Sequence, residues 1–311
     1  MKKKISIVTP TFNEEANIEP LYLAIRQVME GFPQFEYEHV VIDNASRDDT
    51  LAILRKLAAK DLRLKVIVNT RNFGHIRSPY YGLLQSSGDA AVLMASDFQD
   101  PPELISTLIE RWESGAKMVL GIKNRSEETP LFFALRTAYY RIVSYLSEVE
   151  LNENSTGFGI YDRNVLDVLR RIDDPYPYFR GLISEVGFKP EKIQFVQPKR
   201  VRGVTKNNFY TLYDIAMLGF TKHTKVPLRL ATMLGLFLSF LSFIAALGYL
   251  AYKLFFWERF TAGMAPVIIG LFFFASVQLF FIGVLGEYIG VILTHVRKTP
   301  LVVEKERINF T

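Results

Sequence analysis

The sequence predicts an α/β domain with a mostly parallel sheet, followed by a two-helix membrane hairpin. Three observations carry this. Short apolar runs alternate with amphipathic helix patterns through the first 120 residues. An acidic turn, Asp97-Phe98-Gln99-Asp100-Pro101-Pro102-Glu103, stands between such a run and such a pattern. Two long uncharged stretches, Leu230 to Tyr252 and Phe260 to Gly286, close the chain. Each has at least the ~20 residues that a helix needs to cross a bilayer core.

The elements follow in order. Ile5 to Val8 reads as a first strand, ended by Thr9-Pro10, and Asn13-Glu14-Glu15 opens a helix toward Gly31. Tyr37 to Asp43 is a second strand, ended by Asn44-Ala45-Ser46. Asp48 and Asp49 then start a helix with Leu51, Leu54 and Leu57 on one face and Ile53 beside them. Leu64 to Val68, Ala90 to Met94 and Met118 to Ile122 are the third, fourth and fifth strands. Leu104, Ile105, Leu108 and Ile109 mark the helix after the acidic turn. Pro130 to Leu146 and Phe209 to Phe220 read either as interfacial helices or as packed ones. Domain boundaries are expected at 1–225, 226–296 for the hairpin, and 297–311 for a cytoplasmic tail.

Composition narrows the function classes. The chain has 311 residues, a net charge of +5 and no cysteine. Disulfides, thiol catalysis and Cys-ligated metal are excluded. The N-terminus has Lys2, Lys3 and Lys4 but no signal-peptide core. No basic helix or RNA-binding signature supports a nucleic-acid partner. Lys222, Lys225 and Arg229 precede the first uncharged stretch, and Arg297 and Lys298 follow the second. This bias puts both ends of the hairpin in the cytoplasm, and basic residues there favour membrane lipid headgroups.

Candidate site residues sit where strands end, the edge at which open α/β sheets bind ligands. Asp97 and Gln99 offer hard oxygen ligands suited to Mg²⁺ or Mn²⁺. Asp43 can accept hydrogen bonds from a base or ribose, or serve as a turn residue. Arg71-Asn72-Phe73-Gly74 follows the third strand, with Gly74 allowing close backbone approach. Lys199 to Lys206 places four cations and Thr205 around Gly203, which suits phosphate oxygens, or simply a solvated basic loop. Glu287, after the second stretch, reads as an interface residue. His39, His75, His223 and His295 share no metal-ligand spacing.

In this order, Thr9-Pro10-Thr11-Phe12-Asn13-Glu14-Glu15, Asp43-Asn44-Ala45-Ser46, Arg71-Asn72-Phe73-Gly74 and Asp97 to Glu103 resemble family 2 glycosyltransferases. Nearer still are polyprenyl-phosphate glycosyltransferases and dolichol-phosphate mannose synthases. The tail Gly283-Val284-Leu285-Gly286-Glu287-Tyr288-Ile289-Gly290 is similar to that of the bacterial two-helix members. The resemblance implies a GT-A nucleotide-sugar-binding domain with a divalent metal. It implies inverting transfer of a sugar from a nucleotide sugar to polyprenyl phosphate, in a multi-pass inner-membrane protein with a cytoplasmic catalytic domain. It leaves homo-oligomerisation open. Carried over by position, Pro10, Phe12, Glu14, Asp43 and Asn72 bind the nucleotide sugar, and Asp97 and Gln99 hold the metal. Asp97, Asp100, Arg200 and Lys206 are the catalytic candidates. Lys123 and Arg125 take the acceptor phosphate.

Several positions depart from the pattern, among them Lys123, where the family has an arginine. Ala95 replaces the first acid before Gln99, Asn44 replaces a second acid, and Thr156-Gly157-Phe158-Gly159 replaces a Gly-Asp-Phe-Arg motif. A lipid phosphate needs no strong base, being an oxyanion with a second pKa near ~6. A hydroxyl acceptor would need one, and Asp100 is the candidate. A non-enzymatic subunit is the third reading.

Overall fold

The computed structural model describes residues 2–123, 155–198, 217, 221, 224–256 and 264–310. All five expected strands form: β1 (Lys4–Thr11), β2 (Glu36–Asp43), β3 (Leu64–Asn69), β4 (Ala90–Leu93) and β5 (Met118–Lys123). Three more join them: β6 (Ser155–Asp162), β7 (Glu191–Phe195) and β8 (Glu304–Ile308). The sheet order is β7-β5-β6-β4-β1-β2-β3-β8. β3, β2, β1 and β4 are mutually parallel, whereas β6 is antiparallel to both β4 and β5, and β8 is antiparallel to β3. β5 and β7 are parallel as well, so the mostly parallel expectation holds, with only β6 and β8 reversed among the described strands. Glycines at 157 and 159 hide β6 from pattern reading, because Gly has low strand propensity. Charged sequences hide β7 and β8.

Helices cover both faces. α1 (Ile18–Glu30) buries Ile18, Leu21, Tyr22, Ile25 and Met29, one stripe at helical spacing, and ends at Gly31. α4 (Leu104–Glu113) buries Ile105, Leu108, Ile109 and Trp112. Together they pack on Ile5, Ile7, Ala90 and Val92. α2 (Thr50–Ala58) lies against α1 through Leu54 and Ala58, over Val41, Val66 and Val68. The opposite face of the sheet, with Val8, Val40, Ile42 and Leu93, carries α3 (Gly74–Leu84), α5 (Arg163–Arg170) and α6 (Phe179–Glu185). Period-two alternation along β1 thus feeds two cores.

The segment 297–311, expected as a separate tail, instead supplies the edge strand β8. Val66 pairs with Ile308 and Val68 with Glu306. Asn309, with φ 60°, donates its amide to the carbonyls of Ala58 and Leu64 at 2.8 and 2.9 Å. Arg55 meets Glu306 at 2.6 Å. Charged residues on an edge strand also discourage further pairing. Before it stand two helices long and apolar enough to cross a membrane, α7 (Val226–Phe255) and α8 (Met264–Val296). Tyr288 donates to the Thr224 carbonyl at 2.7 Å, joining the base of α7 to α8.

The sheet carries a pH-sensitive residue away from the ligand edge. His39 is 2% exposed, lies 3.0 Å from Thr9 Oγ1, stacks on Tyr22 and leaves Nδ1 without a partner. Burial pushes its pKa down to about 3. The folded ring therefore stays neutral while the unfolded one binds a proton below about pH 6.5. Stability is present above that pH and falls as pH drops toward 3, by about 1.4 kcal/mol per unit. Neighbouring Glu38 adds a second loss between 4.5 and about 2. Burial opposes its charge, but hydrogen bonds from Lys65, Ser6 and Lys4 outweigh that and hold its pKa low. Urea unfolding at pH 8, 6 and 5 should show the first slope. In His39→Gln it should vanish, and an unchanged slope would contradict the assignment.

Candidate active site

The strand order reverses direction of growth between β1 and β4, which opens a crevice at their C-terminal ends. Four loops meet there and are stitched together. Asn13 N–H donates to Ser46 Oγ at 2.9 Å, Arg47 N–H to Asn13 Oδ1 at 2.8 Å and Glu14 N–H to Thr50 Oγ1 at 2.9 Å. Asn13 and Ala45 both have positive φ, at 55° and 61°, the mark of tight turns.

Asn44 explains one departure from the family pattern. Its amide nitrogen donates to Asn72 Oδ1 at 2.9 Å and to the Gly74 carbonyl at 3.2 Å. Its oxygen accepts from Asn69 Nδ2 at 3.0 Å and Phe73 N–H at 2.9 Å. A carboxylate could not donate these bonds, so the amide welds the loop after β2 to the loop after β3.

The nucleotide-sugar candidates line this edge. Pro10 is in β1 opposite Ile42, and Phe12 follows it half-buried. Glu14 is buried and accepts from Asn17 Nδ2 at 2.6 Å. Asp43 is fully buried and takes the Ser46 N–H at 3.2 Å; burial raises its pKa. Asn72 is exposed, and its Oδ1 also caps Gly74 N–H at 2.7 Å, so its oxygen organises the loop.

The acidic turn sits beside β1 on the other bank. Met94 N–H pairs with the Val8 carbonyl, and the chain then turns through Phe98 at φ 61°. Asp97 is half-buried, and its Oδ1 accepts Gln99 N–H at 3.1 Å. Asp100 is 4% exposed, and its Oδ2 accepts the Ala95 N–H at 2.8 Å. Ala95 thus holds Asp100 through its backbone N–H, a bond that does not depend on its side chain. Burial raises the Asp100 pKa to about 6 and the Asp97 charge adds to this, while the Ala95 N–H and Lys123 oppose it. Lys123 Nζ also donates to Gln197 at 3.1 Å. The structure therefore brings Asp97, Gln99, Asp100 and Lys123 together. Arg125, Arg200 and Lys206 lie outside the described residues, as do 130–146 and, Met217 apart, 209–220.

The donor chemistry suits a divalent cation. Two carboxylates and an amide within four residues, one carboxylate destabilised by the other's charge, form a set of hard oxygens that Mg²⁺ or Mn²⁺ would relieve. Among the described residues no group of three or more His, Asp and Glu stands together as a metal cage.

Gly157 and Gly159 explain the last departure. Gly157 has φ +92°, and a Cβ there would press on the Phe179 ring. At Gly159 a Cβ would run into the Val119 carbonyl oxygen of β5. Backbone geometry strains any side chain at 157 and excludes one at 159.

Sequence reading missed Arg180 and Arg77. Arg180, on α6, acts electrostatically on buried Tyr161 together with Asp100. Arg77, on the first turns of α3, stacks over Tyr176 at 5.2 Å. The only sequence signal was a cation near Gly74 and another after Tyr178 and Phe179.

Comparison with known proteins agrees with this geometry. A family model described as glycosyl transferase family 2 matches residues 6–170. The SfII prophage-derived bactoprenol glucosyl transferase of Shigella flexneri is 34% identical over 97% of this chain and 98% of its own length. An uncharacterized glycosyltransferase of Bacillus subtilis, YkcC, is 34% identical over 95% of this chain and 91% of its own. The prophage bactoprenol glucosyl transferase homolog of Escherichia coli K12 is 33% identical over 96% and 97%. A solved Mycobacterium tuberculosis glucosyl-3-phosphoglycerate synthase, with Mn²⁺, UDP and phosphoglyceric acid, aligns at a TM-score of 0.49 and 20% identity. It covers 70% of this chain and 76% of that one, a likeness too remote to place any ligand here. The mixed sheet with its acidic turn at the switch crevice is the GT-A architecture expected above. With the family model matched across that crevice and relatives aligned from end to end, the chain belongs to family 2 of the glycosyl transferases.

Proposed function

We propose that this chain is a membrane-bound inverting glycosyltransferase that moves a sugar from a nucleoside diphosphate to a polyprenyl phosphate. The observation that carries the reading is the end-to-end match with bactoprenol glucosyl transferases, hairpin included. The exposed apolar faces of α7 and α8 support it. Phe237, Phe243, Phe272 and Phe280 are 57–68% exposed, which water would not tolerate over two whole helices. The return of β8 to the sheet supports a cytoplasmic catalytic domain on an inner membrane. A chain that leaves and re-enters one sheet must cross the bilayer an even number of times, and the Lys/Arg bias marks that side as cytoplasmic.

The chemistry assigned to the residues is economical. Asp97 and Gln99 would hold Mg²⁺ or Mn²⁺, which when bound neutralises charge on the departing diphosphate. Pro10, Phe12, Glu14, Asp43 and Asn72 orient the nucleotide. Lys123 and Arg125 are assigned to the acceptor phosphate, and Arg200 and Lys206 to the leaving group. The acceptor oxygen is already ionised, so alignment and charge stabilisation suffice. Residue 157 is a glycine and carries no carboxylate, which favours an acceptor that needs no base. The intact turn from Ala95 to Asp100 favours an active enzyme over a non-enzymatic subunit.

Asp100→Asn tests the acceptor class. An amide oxygen can still accept the Ala95 N–H, so the turn should survive. With a phosphate acceptor, measurable transfer should remain, and the product should be a sugar phosphodiester cleaved by mild acid. With a hydroxyl acceptor and Asp100 as base, the rate should fall on the order of 10²–10⁴-fold. An acid-stable product would overturn the polyprenyl-phosphate reading.

A further inference from the structure

We propose that Arg77 is a binding residue for the phosphate of the lipid acceptor, reached from the membrane past Tyr176. The inference rests on the function proposed above and adds to it a residue outside the candidate set.

Arg77 is a partly buried guanidinium without an anion. Among the described residues it makes no ion pair or hydrogen bond, and its Nε is shut off from solvent with no partner. A desolvated cation left this way is costly unless a ligand completes it. One face of the group is held over the Tyr176 ring at 5.2 Å, which leaves its edge to donate. Asp174, near this corner, is engaged elsewhere. Asp174 Oδ1 accepts the Tyr176 N–H at 2.9 Å and faces His295 Nε2 at 3.3 Å.

Position tells which anion would arrive. Arg77 lies one turn before Tyr80, on the end of α3 nearest the ligand edge. Tyr80 packs on Phe179 at 6.0 Å, and Phe179 is the ring that a side chain at 157 would meet. Arg77 therefore stands on the α3 and α6 side, across β1 and β4 from the nucleotide loops around Glu14 and Ser46. Tyr176 is shared with a cleft of about 430 Å³ whose other wall is α8, through Gly283, Gly286, Glu287, Gly290 and His295. Gly283, Gly286 and Gly290 fall on one helical face, and a Cβ at any of them would meet nothing within 4 Å. A cleft between a membrane helix and the ring on which the guanidinium lies fits the approach of a phosphate monoester on an apolar tail. Arg forks suit such oxygens.

The test uses the full-length protein in phosphatidylcholine vesicles containing undecaprenyl phosphate, with undecaprenol vesicles as control. Wild type should bind the phosphate lipid more tightly than the alcohol. Arg77→Gln should lose that preference and raise the acceptor KM roughly 10–100-fold, the scale of a charge-assisted bond. Arg77→Lys should recover part of it. UDP and GDP binding, whichever wild type shows, and the donor KM should stay unchanged in both variants. A purely structural Arg77 would leave the phosphate-over-alcohol preference intact, and that result overturns the proposal. So would weakened nucleotide binding with an unchanged acceptor KM, which would assign the guanidinium to the donor. If wild type itself does not prefer the phosphate lipid, the functional reading fails first, and Arg77 with it.

Discussion

Asp97→Ala is expected to reduce sugar transfer on the order of 10³-fold or more, with Mg²⁺ or Mn²⁺ present. The scale is that of removing a group that stabilises developing charge at a reaction centre. Asp97 is less buried than Asp100, and its Oδ1 accepts the Gln99 N–H. Loss of a hydrogen bond at a half-buried site should cost about 1 kcal/mol of stability, so the variant should fold. Mn²⁺ titration followed by electron paramagnetic resonance gives a readout apart from turnover, and the variant should bind far less. Full activity of the wild type in excess EDTA would refute the metal assignment. Asp100 would then be left as a carboxylate kept high by burial, with no metal to explain the pair.

Removing residues 299–311 should destabilise the catalytic domain severely. The loss takes the β8 pairing with Val66, Ile67, Val68 and Asn69, and the Thr70 N–H bond to the Val303 carbonyl. It also takes the Asn309 bonds and the contacts of Arg307 with Tyr81 and Gln85. At about 1 kcal/mol for each of several bonds the change is on the order of 5 kcal/mol. For a domain of this size that lowers Tm by roughly 10 °C or more. The bare edge of β3 should also promote aggregation. Because Thr70 immediately precedes Arg71, donor affinity should weaken before the domain melts. Thermal unfolding in detergent, with nucleotide binding measured below the transition, checks both. A melting temperature within about 2 °C of the full chain would show that β8 is dispensable.

Much of this molecule was determined by sequence alone, for a physical reason. Parallel strands buried on both faces read as apolar runs, so β1 to β5 were visible with their polar ends. Those ends carry Asp43, Asn72 and Asp97, and topology puts them on one edge. Two uncharged stretches admit few solvents other than lipid. Tertiary structure decided the rest, because it depends on contacts between distant residues. That Glu304 to Ile308 is a strand follows from the open edge of β3, not from its charged residues. That Asn44 must be an amide follows from the carbonyls of Asn72 and Gly74, 28 and 30 positions away. That a side chain is strained at Gly157 and blocked at Gly159 follows from Phe179 and Val119. Arg77 reads as an ordinary surface cation on a helix until folding closes Tyr176 over it and, among the described residues, supplies no anion.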